Sequence, residues 1–137
     1  MSEENVEIVR RAWDAFSRGD VAEAYEVFAA DVELDVSGDI WGAVVGGGHY
    51  RGVEGITKWF QDLYSAWDTF EMDAEEFIDA GNDRVISVLF ARGRGRSSGI
   101  EVEHRPAGIG TLRNGKIVRI VWFPTREEAL EAAGLSE

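Results

Sequence analysis

The chain has 137 residues, the length of one domain, and at 45% hydrophobic residues it is too apolar for a disordered protein. Its 14 basic and 26 acidic residues give a formal charge of −12, which repels phosphate backbones and argues against a nucleic-acid partner. Cysteine is absent and His49 and His104 are the only histidines, which excludes disulfides, thiolate chemistry and multi-histidine zinc sites.

No apolar run is long enough to cross a membrane. The first residues, MSEENVEIVRRAW, start acidic and lack the apolar core of a signal peptide. We therefore expect a cytoplasmic protein with no membrane partner. The glycine-rich segment at 38–52 lacks the Lys-Ser/Thr of a phosphate loop, and we expect no cofactor and no metal.

The first half of the chain has the periodicity of helices. A helix is predicted over 3–18, with its apolar residues on one stripe at helical spacing: Val6, Val9, Trp13 and Phe16. Asp20 caps a second, shorter helix predicted over 21–30. A third helix is predicted over 53–67, where aromatic and aliphatic residues form a broad apolar face.

The second half is dominated by strand patterns. The predicted strands are 31–37, 70–79, 84–94, 100–113 and 116–123. Asn114 and Gly115 predict a tight hairpin turn, and Thr125 with Glu128 predicts the capping box of a C-terminal helix. The basic run RGRGR at 92–96 is typical of a solvated edge strand. Runs of helix followed by runs of strand indicate one α+β domain over residues 1–137, with three helices on one face of an antiparallel sheet.

The segment EVEHRPAGIG, residues 101–110, departs from ordinary strand sequence, because strand interiors normally avoid Pro and Gly. Alternate residues of a strand share a face. His104, Pro106, Gly108 and Gly110 therefore share a face, which we expect to line a cavity, while the charged residues share the other. A bulge at Pro106 is the alternative, and it would reverse the alternation on one side of the proline.

Four phrases, in their order and spacing, resemble the SnoaL-like proteins of the NTF2-like superfamily: AFSRGDVAEAYEVFAADVELDVS, YRGVEGITKWF, RNGKIVRI and REEALEAAGL. They span nearly the whole chain. The resemblance implies a strongly curved sheet folded as a cone around a cavity, with helices closing one side, and it implies a homodimer. A strand face with Arg105, Ile109, Val121 and Phe123 is the surface that we expect a partner to cover.

The superfamily hosts many activities, so the resemblance alone does not fix the reaction. Its ketosteroid isomerases use a strand carboxylate, a helix tyrosine and a protonated aspartate. Those roles align with Ala12, Val36 and Gly108 here, which cannot perform them. The limonene-type epoxide hydrolases need an Asp-Arg-Asp set, and one of its aspartates falls near Trp122. Both activities are therefore disfavoured.

The SnoaL-type cyclases work with an Asp and a His in an apolar cavity, and His104 with Asp35 are the candidates that the resemblance implies here. An imidazole suits proton transfer near neutral pH. The alternative for His104 is an inert histidine in a half-polar wall. The alternative for Asp35 is a surface carboxylate, because it shares the polar face of its strand with Glu33.

The residues expected to contact a ligand are mostly aromatic: Trp13, Phe16, Trp41, Tyr50, Trp59, Phe90, Gly108 and Trp122. For most of the aromatic residues, a place in the ordinary core is the alternative. The sequence thus predicts a cavity protein that acts on or binds a small, mostly apolar organic molecule. The reaction would be cofactor-free isomerase, cyclase or dehydratase chemistry, and the alternative is a non-catalytic ligand-binding or dimerisation protein.

Overall fold

The structure, a computed structural model, describes residues 2–18, 20–36 and 48–135. The helices are α1 (Ser2–Ser17), α2 (Val21–Tyr25), α3 (Gly52–Ala66) and α4 (Arg126–Ala132). The strands are β1 (Phe28–Asp35), β2 (His49–Arg51), β3 (Trp67–Gly81), β4 (Arg84–Gly95), β5 (Glu101–His104), β6 (Ala107–Arg113) and β7 (Lys116–Phe123). No helix in these described ranges is long and apolar enough to span a membrane.

Among the described residues, the strands form one curved sheet that does not close on itself. The strand order is β2-β1-β7-β6-β4-β3, with β5 beside β4. Neighbouring strands are antiparallel except β1 and β7, which run parallel. The predicted α+β class is confirmed, and the antiparallel sheet has this one exception. No hairpin turn joins β1 to β7, so local turn chemistry does not set their relative direction.

Two hairpins turn through residues with positive φ, a conformation that side chains other than glycine rarely adopt. The β3–β4 turn has φ of 54° at Asn82 and 61° at Asp83, and the β6–β7 turn has 53° at Asn114 and 78° at Gly115. The second pair confirms the predicted Asn-Gly hairpin. Asn5 Nδ2 of α1 donates to Asp83 Oδ1 at 3.1 Å, which ties the first helix to the first of these turns.

The predicted strand over 100–113 is present as β5 and β6, which follow each other along β4. They keep one register, since His104 lies opposite Ala91 and Gly108 lies opposite Ser87. Between them the Pro106 carbonyl accepts a backbone hydrogen bond from β4 at 2.9 Å. The alternation of faces is therefore continuous past the proline, without a bulge there.

The basic run at 92–96 lies at the end of β4, and its prediction as an edge strand is wrong. β3 pairs with one side of this segment and β5 with the other. Two of its arginines make contacts within the chain. Arg94 Nη2 lies 3.4 Å from a Glu101 carboxylate oxygen, and Arg96 Nε donates a hydrogen bond to the Ser65 carbonyl at 3.2 Å. A pattern of charges does not show which strands pair with a given segment, because that depends on contacts with segments distant in sequence.

The second helix is shorter than predicted. Asp20 caps it as expected, because its Oδ1 accepts a hydrogen bond from the Glu23 N–H at 3.1 Å. The helix ends at Tyr25, however, and the chain enters β1 at Phe28, where it pairs with Ile117 of β7. Strand β2, which the sequence did not predict, pairs with β1 just before α3.

The two faces of the sheet carry separate cores. α1 and α3 pack on the inner face, over fully buried residues that include Val32, Val36, Val85 and Leu89. α4 packs on the outer face, where it covers Ile86 and Ile109. Thr125 caps α4 as predicted, accepting from the Glu128 N–H at 3.1 Å. Ile109 was expected on an exposed face, and it is 8% exposed because α4 lies over it.

Candidate functional site

A cavity of about 40 Å³ lies between α1, α3 and the inner face of the sheet. α1 and α3 close it on one side, and β1, β4, β6 and β7 form the other side. Four residues predicted to contact a ligand belong to its wall: Trp13, Phe16, Trp59 and Trp122. The wall also contains Ser87 and Gly110, which were not among the predicted site residues.

Gly108 lies beneath the Trp122 ring. The two residues face each other across β6 and β7. A Cβ added to Gly108 would lie 2.9 Å from Cε3 and Cζ3 of Trp122, closer than real Cβ contacts come. The indole therefore occupies the space that a side chain at position 108 would need. The Trp13 ring also meets the Trp122 ring nearly edge-on, with ring centroids 6.1 Å apart.

Gly110 differs from Gly108 although both lie on the same face of β6. The nearest atom to a Cβ built on Gly110 is the Val85 carbonyl oxygen, at an ordinary contact distance of 3.7 Å. Gly110 belongs to the cavity wall. The missing side chain at Gly110 thus leaves open space, whereas the one at Gly108 makes room for an aromatic ring.

The cavity wall is chemically almost uniform. Apart from the Ser87 hydroxyl and the indole nitrogens it is hydrocarbon, and none of the lining residues in the described part of the chain is titratable. Ser87 itself is 5% exposed. The sequence contains a signal for it, since Ser87 is a single polar residue within the apolar run VISVLF. No three His, Asp or Glu side chains of the described ranges meet in a metal-binding group.

Asp35 lies at the end of β1 on the opposite face of the strand from buried Leu34 and Val36. Its carboxylate faces His49 across β1 and β2, with Oδ2 3.3 Å from His49 Nε2. The structure therefore brings Asp35 together with His49, and the sequence paired it with His104. Asp35 does not belong to the cavity wall.

His104 ends β5, opposite Ala91 of β4, and is half-buried. It borders an open surface cleft beside the start of α4, together with Glu75, Glu103 and Arg105. In this cleft Arg105 Nε lies 3.1 Å from a carboxylate oxygen of Glu75. The alternation of faces was predicted correctly, but the enclosed cavity does not reach as far along the strand as His104.

Two of the remaining predicted ligand contacts lie away from the cavity wall. Phe90 contacts the Arg105 guanidinium, whose carbon is 4.7 Å from the ring centroid. Tyr50 packs against the inner core, and its hydroxyl donates to Asp62 Oδ2 at 3.1 Å. Trp41 lies outside the described residues.

Tyr50 is expected to titrate above its ordinary pKa of 10.0, because burial, and then the hydrogen bond to the Asp62 carboxylate, raise the pKa of the phenol. The folded state holds this proton more tightly than the unfolded state. The stability that it contributes is therefore complete below pH 10.0 and is lost as the pH rises through the raised pKa. The measurement is the ultraviolet absorbance of tyrosinate, with Tyr50→Phe identifying the residue.

Asp62→Asn should move this pKa back toward the ordinary value, whereas Tyr25→Phe should leave it in place. A Tyr50 pKa at or below 10.0 in the folded protein would contradict the assignment.

A curved open sheet with helices packed on its inner face around a small apolar cavity defines a class of cone-shaped α+β proteins. The SnoaL-like domain profile matches residues 9–120, and the chain belongs to this family, as the resemblance indicated. A relative in sequence, the uncharacterized protein Rv0034 of Mycobacterium tuberculosis, is 33% identical over 129 residues, covering 93% of this chain and 94% of that protein.

Solved structures agree with this assignment. An NTF2-like protein from Burkholderia thailandensis has a TM-score of 0.76 at 29% identity, covering 87% of this chain and 88% of its own. A protein with a ketosteroid isomerase-like fold from Catenulispora acidiphila, in complex with trimethylamine, has a TM-score of 0.67 at 18% identity, covering 94% and 93%. The second likeness concerns the fold alone.

Proposed function

We propose that this protein binds a small, mostly apolar, uncharged organic molecule in the cavity between α1, α3 and the sheet. The observation that carries the proposal is the wall of the cavity, which is hydrocarbon and aromatic apart from a few neutral polar atoms. An apolar ligand gains free energy by leaving water for such a site. A charged ligand would lose its hydration without meeting an opposite charge.

Binding is better supported than acid/base catalysis. Proton transfer needs a titratable group within hydrogen-bond reach of the reacting atom. None of the lining residues that the structure describes supplies one. The Asp35 carboxylate lies beside His49, and His104 borders the surface cleft. Catalytic roles for Asp35 and His104 therefore remain predictions from the sequence, as do the homodimer and the cytoplasmic location.

The volume of the cavity favours a ligand of only a few non-hydrogen atoms. One water molecule needs about 10–15 Å³ by the same measure, so the 40 Å³ bounded by the described residues holds a small molecule. Sites for drug-sized ligands are roughly 300–1,000 Å³. The structural relative from Catenulispora acidiphila was crystallised with trimethylamine, a molecule of this size class, which is compatible with small ligands in this fold.

The test is a titration of ¹⁵N-labelled protein with isobutene, a compact and wholly apolar probe. Saturable shifts are expected at the indole N–H resonances of Trp59 and Trp122, which belong to the cavity wall. Gly110→Val should abolish them, because the new side chain extends into the open space beside the Val85 carbonyl.

Ile109→Val is the matched control, since residue 109 is on the same strand but packs under α4 on the outer face. It should leave binding unchanged. Linear, unsaturable shifts in the unmodified protein, or equal binding by Gly110→Val, would refute the proposed site.

A further inference from the structure

Among the described residues, the lining of the cavity includes one hydroxyl, and the other lining side chains are apolar or aromatic. Ser87 is 5% exposed and lines the cavity from β4. No hydrogen bond joins its hydroxyl to another described residue. Its Oγ is not among the fully buried polar atoms that lack a partner in the described ranges, so it keeps accessible surface where Ser87 lines the cavity. A ligand that accepts a hydrogen bond there would gain the net free energy of that bond.

Ser87 occupies a defined place in the wall. Ser87, Gly108 and Trp122 form one row across β4, β6 and β7, because Ser87 pairs with Gly108 and Gly108 pairs with Trp122. The Trp122 ring lies over Gly108, the residue between them. The hydroxyl and the indole are thus neighbours along one row of the inner face, and Gly110 leaves open space in the next row.

Two ring nitrogens of the wall also lack partners. Nε1 of Trp59 and Nε1 of Trp122 are buried without a hydrogen-bond acceptor among the described residues. An indole N–H can only donate, whereas a serine hydroxyl donates and accepts. Both nitrogens are fully buried, whereas Ser87 lines the cavity and its Oγ keeps accessible surface. The Ser87 hydroxyl is therefore the donor that a ligand in the cavity reaches first. Donors outnumber acceptors in this wall.

We propose that the cavity selects neutral carbonyl compounds, and that the Ser87 hydroxyl donates a hydrogen bond to the carbonyl oxygen. The inference rests on the proposed function and names its ligand class. A carbonyl oxygen accepts and does not donate, which complements a wall with surplus donors. The rest of the ligand contacts hydrocarbon and aromatic rings.

The experiment compares acetone with isobutene, which have the same shape and differ in C=O against C=CH₂. Both are titrated against the unmodified protein and against Ser87→Ala. The ratio of acetone affinity to isobutene affinity should fall by about fivefold or more in Ser87→Ala, because the buried oxygen then has no donor. Isobutene should bind both proteins equally, and the ratio cancels the different solvation of the two probes in water.

The same comparison is made with Ser87→Thr and Ser87→Val, two variants of equal shape of which only the first has a hydroxyl. The ratio of acetone affinity to isobutene affinity should be higher in Ser87→Thr than in Ser87→Val. An unchanged ratio, with isobutene still binding, would overturn the role of Ser87 and leave the proposed function standing. Binding of neither probe would overturn both. Tetramethylammonium binding more tightly than acetone would show that the aromatic wall selects cations instead.

Discussion

Gly108→Ala is expected to lower the free energy of unfolding by about 1–3 kcal/mol, the usual cost of forcing an extra methyl group into a packed interior. The added Cβ would lie 2.9 Å from the Trp122 ring, and that ring is itself held by Trp13. Either the indole or strand β6 must move. Urea denaturation of both proteins measures the effect.

Gly110→Ala is the matched control, because it makes the same chemical change two residues further along the same face. Its Cβ meets no atom closer than 3.7 Å. It should leave stability unchanged or raise it by up to about 1 kcal/mol, since alanine restricts the unfolded chain more than glycine does. Equal losses in the two variants would show that strand propensity, and not the Trp122 ring, explains Gly108.

The effect of Gly108→Ala should also depend on Trp122. In a Trp122→Phe background the smaller ring leaves room for the methyl group, so the cost of Gly108→Ala should shrink. Residues in contact typically show coupling of roughly 0.5–3 kcal/mol in such cycles. Additive effects would place the strain elsewhere.

Leu130→Ala is expected to cost about 2–5 kcal/mol, the range for removing a buried leucine side chain. Leu130 is 5% exposed on α4 and packs in the outer core with Ile86 and Ile109. Because this core is on the far side of the sheet from the cavity, isobutene binding by the folded variant should be unchanged. Thermal or urea denaturation and the isobutene titration together test both parts.

Glu131→Ala, one residue along the same helix but exposed, is the control and should stay within about 0.5 kcal/mol. A small effect of Leu130→Ala would mean that α4 contributes little to the fold. A large loss of isobutene affinity in the folded variant would mean that the two cores are coupled through the sheet.

Much of the fold was predictable because it depends on local physics. The Asp20 and Thr125 caps and the Asn114–Gly115 turn each depend on residues within four positions of one another. The apolar stripe of α1 follows from the helical period within one continuous segment. The order of helices and strands followed from periodicity. The neighbours of β4 and the parallel pairing of β1 with β7 were not predictable in this way, because both join segments that are distant in sequence.

The candidate site was predicted less well than the fold. Four of the predicted aromatic residues line the cavity: Trp13, Phe16, Trp59 and Trp122. This was predictable because large aromatic side chains on the inward faces of helices and strands bury much apolar area there. Ser87 was missed because its signal, a single polar residue within the apolar run VISVLF, does not belong to a recognised functional motif. Asp35 was expected to pair with His104, whereas the structure places its carboxylate beside His49. His49 belongs to β2, a strand that the sequence did not predict.

The segment EVEHRPAGIG illustrates the division between sequence and tertiary structure. The sequence by itself determined which residues of this strand share a face, because the period of a strand is two regardless of its neighbours. Only the tertiary structure decided what each missing side chain means. Strand pairing sets Trp122 opposite Gly108 and Ile120 opposite Gly110, so one glycine is covered by an indole and the other borders the cavity. A glycine leaves unoccupied the space that a side chain would fill. The residues packed nearby determine whether that space is filled or remains open.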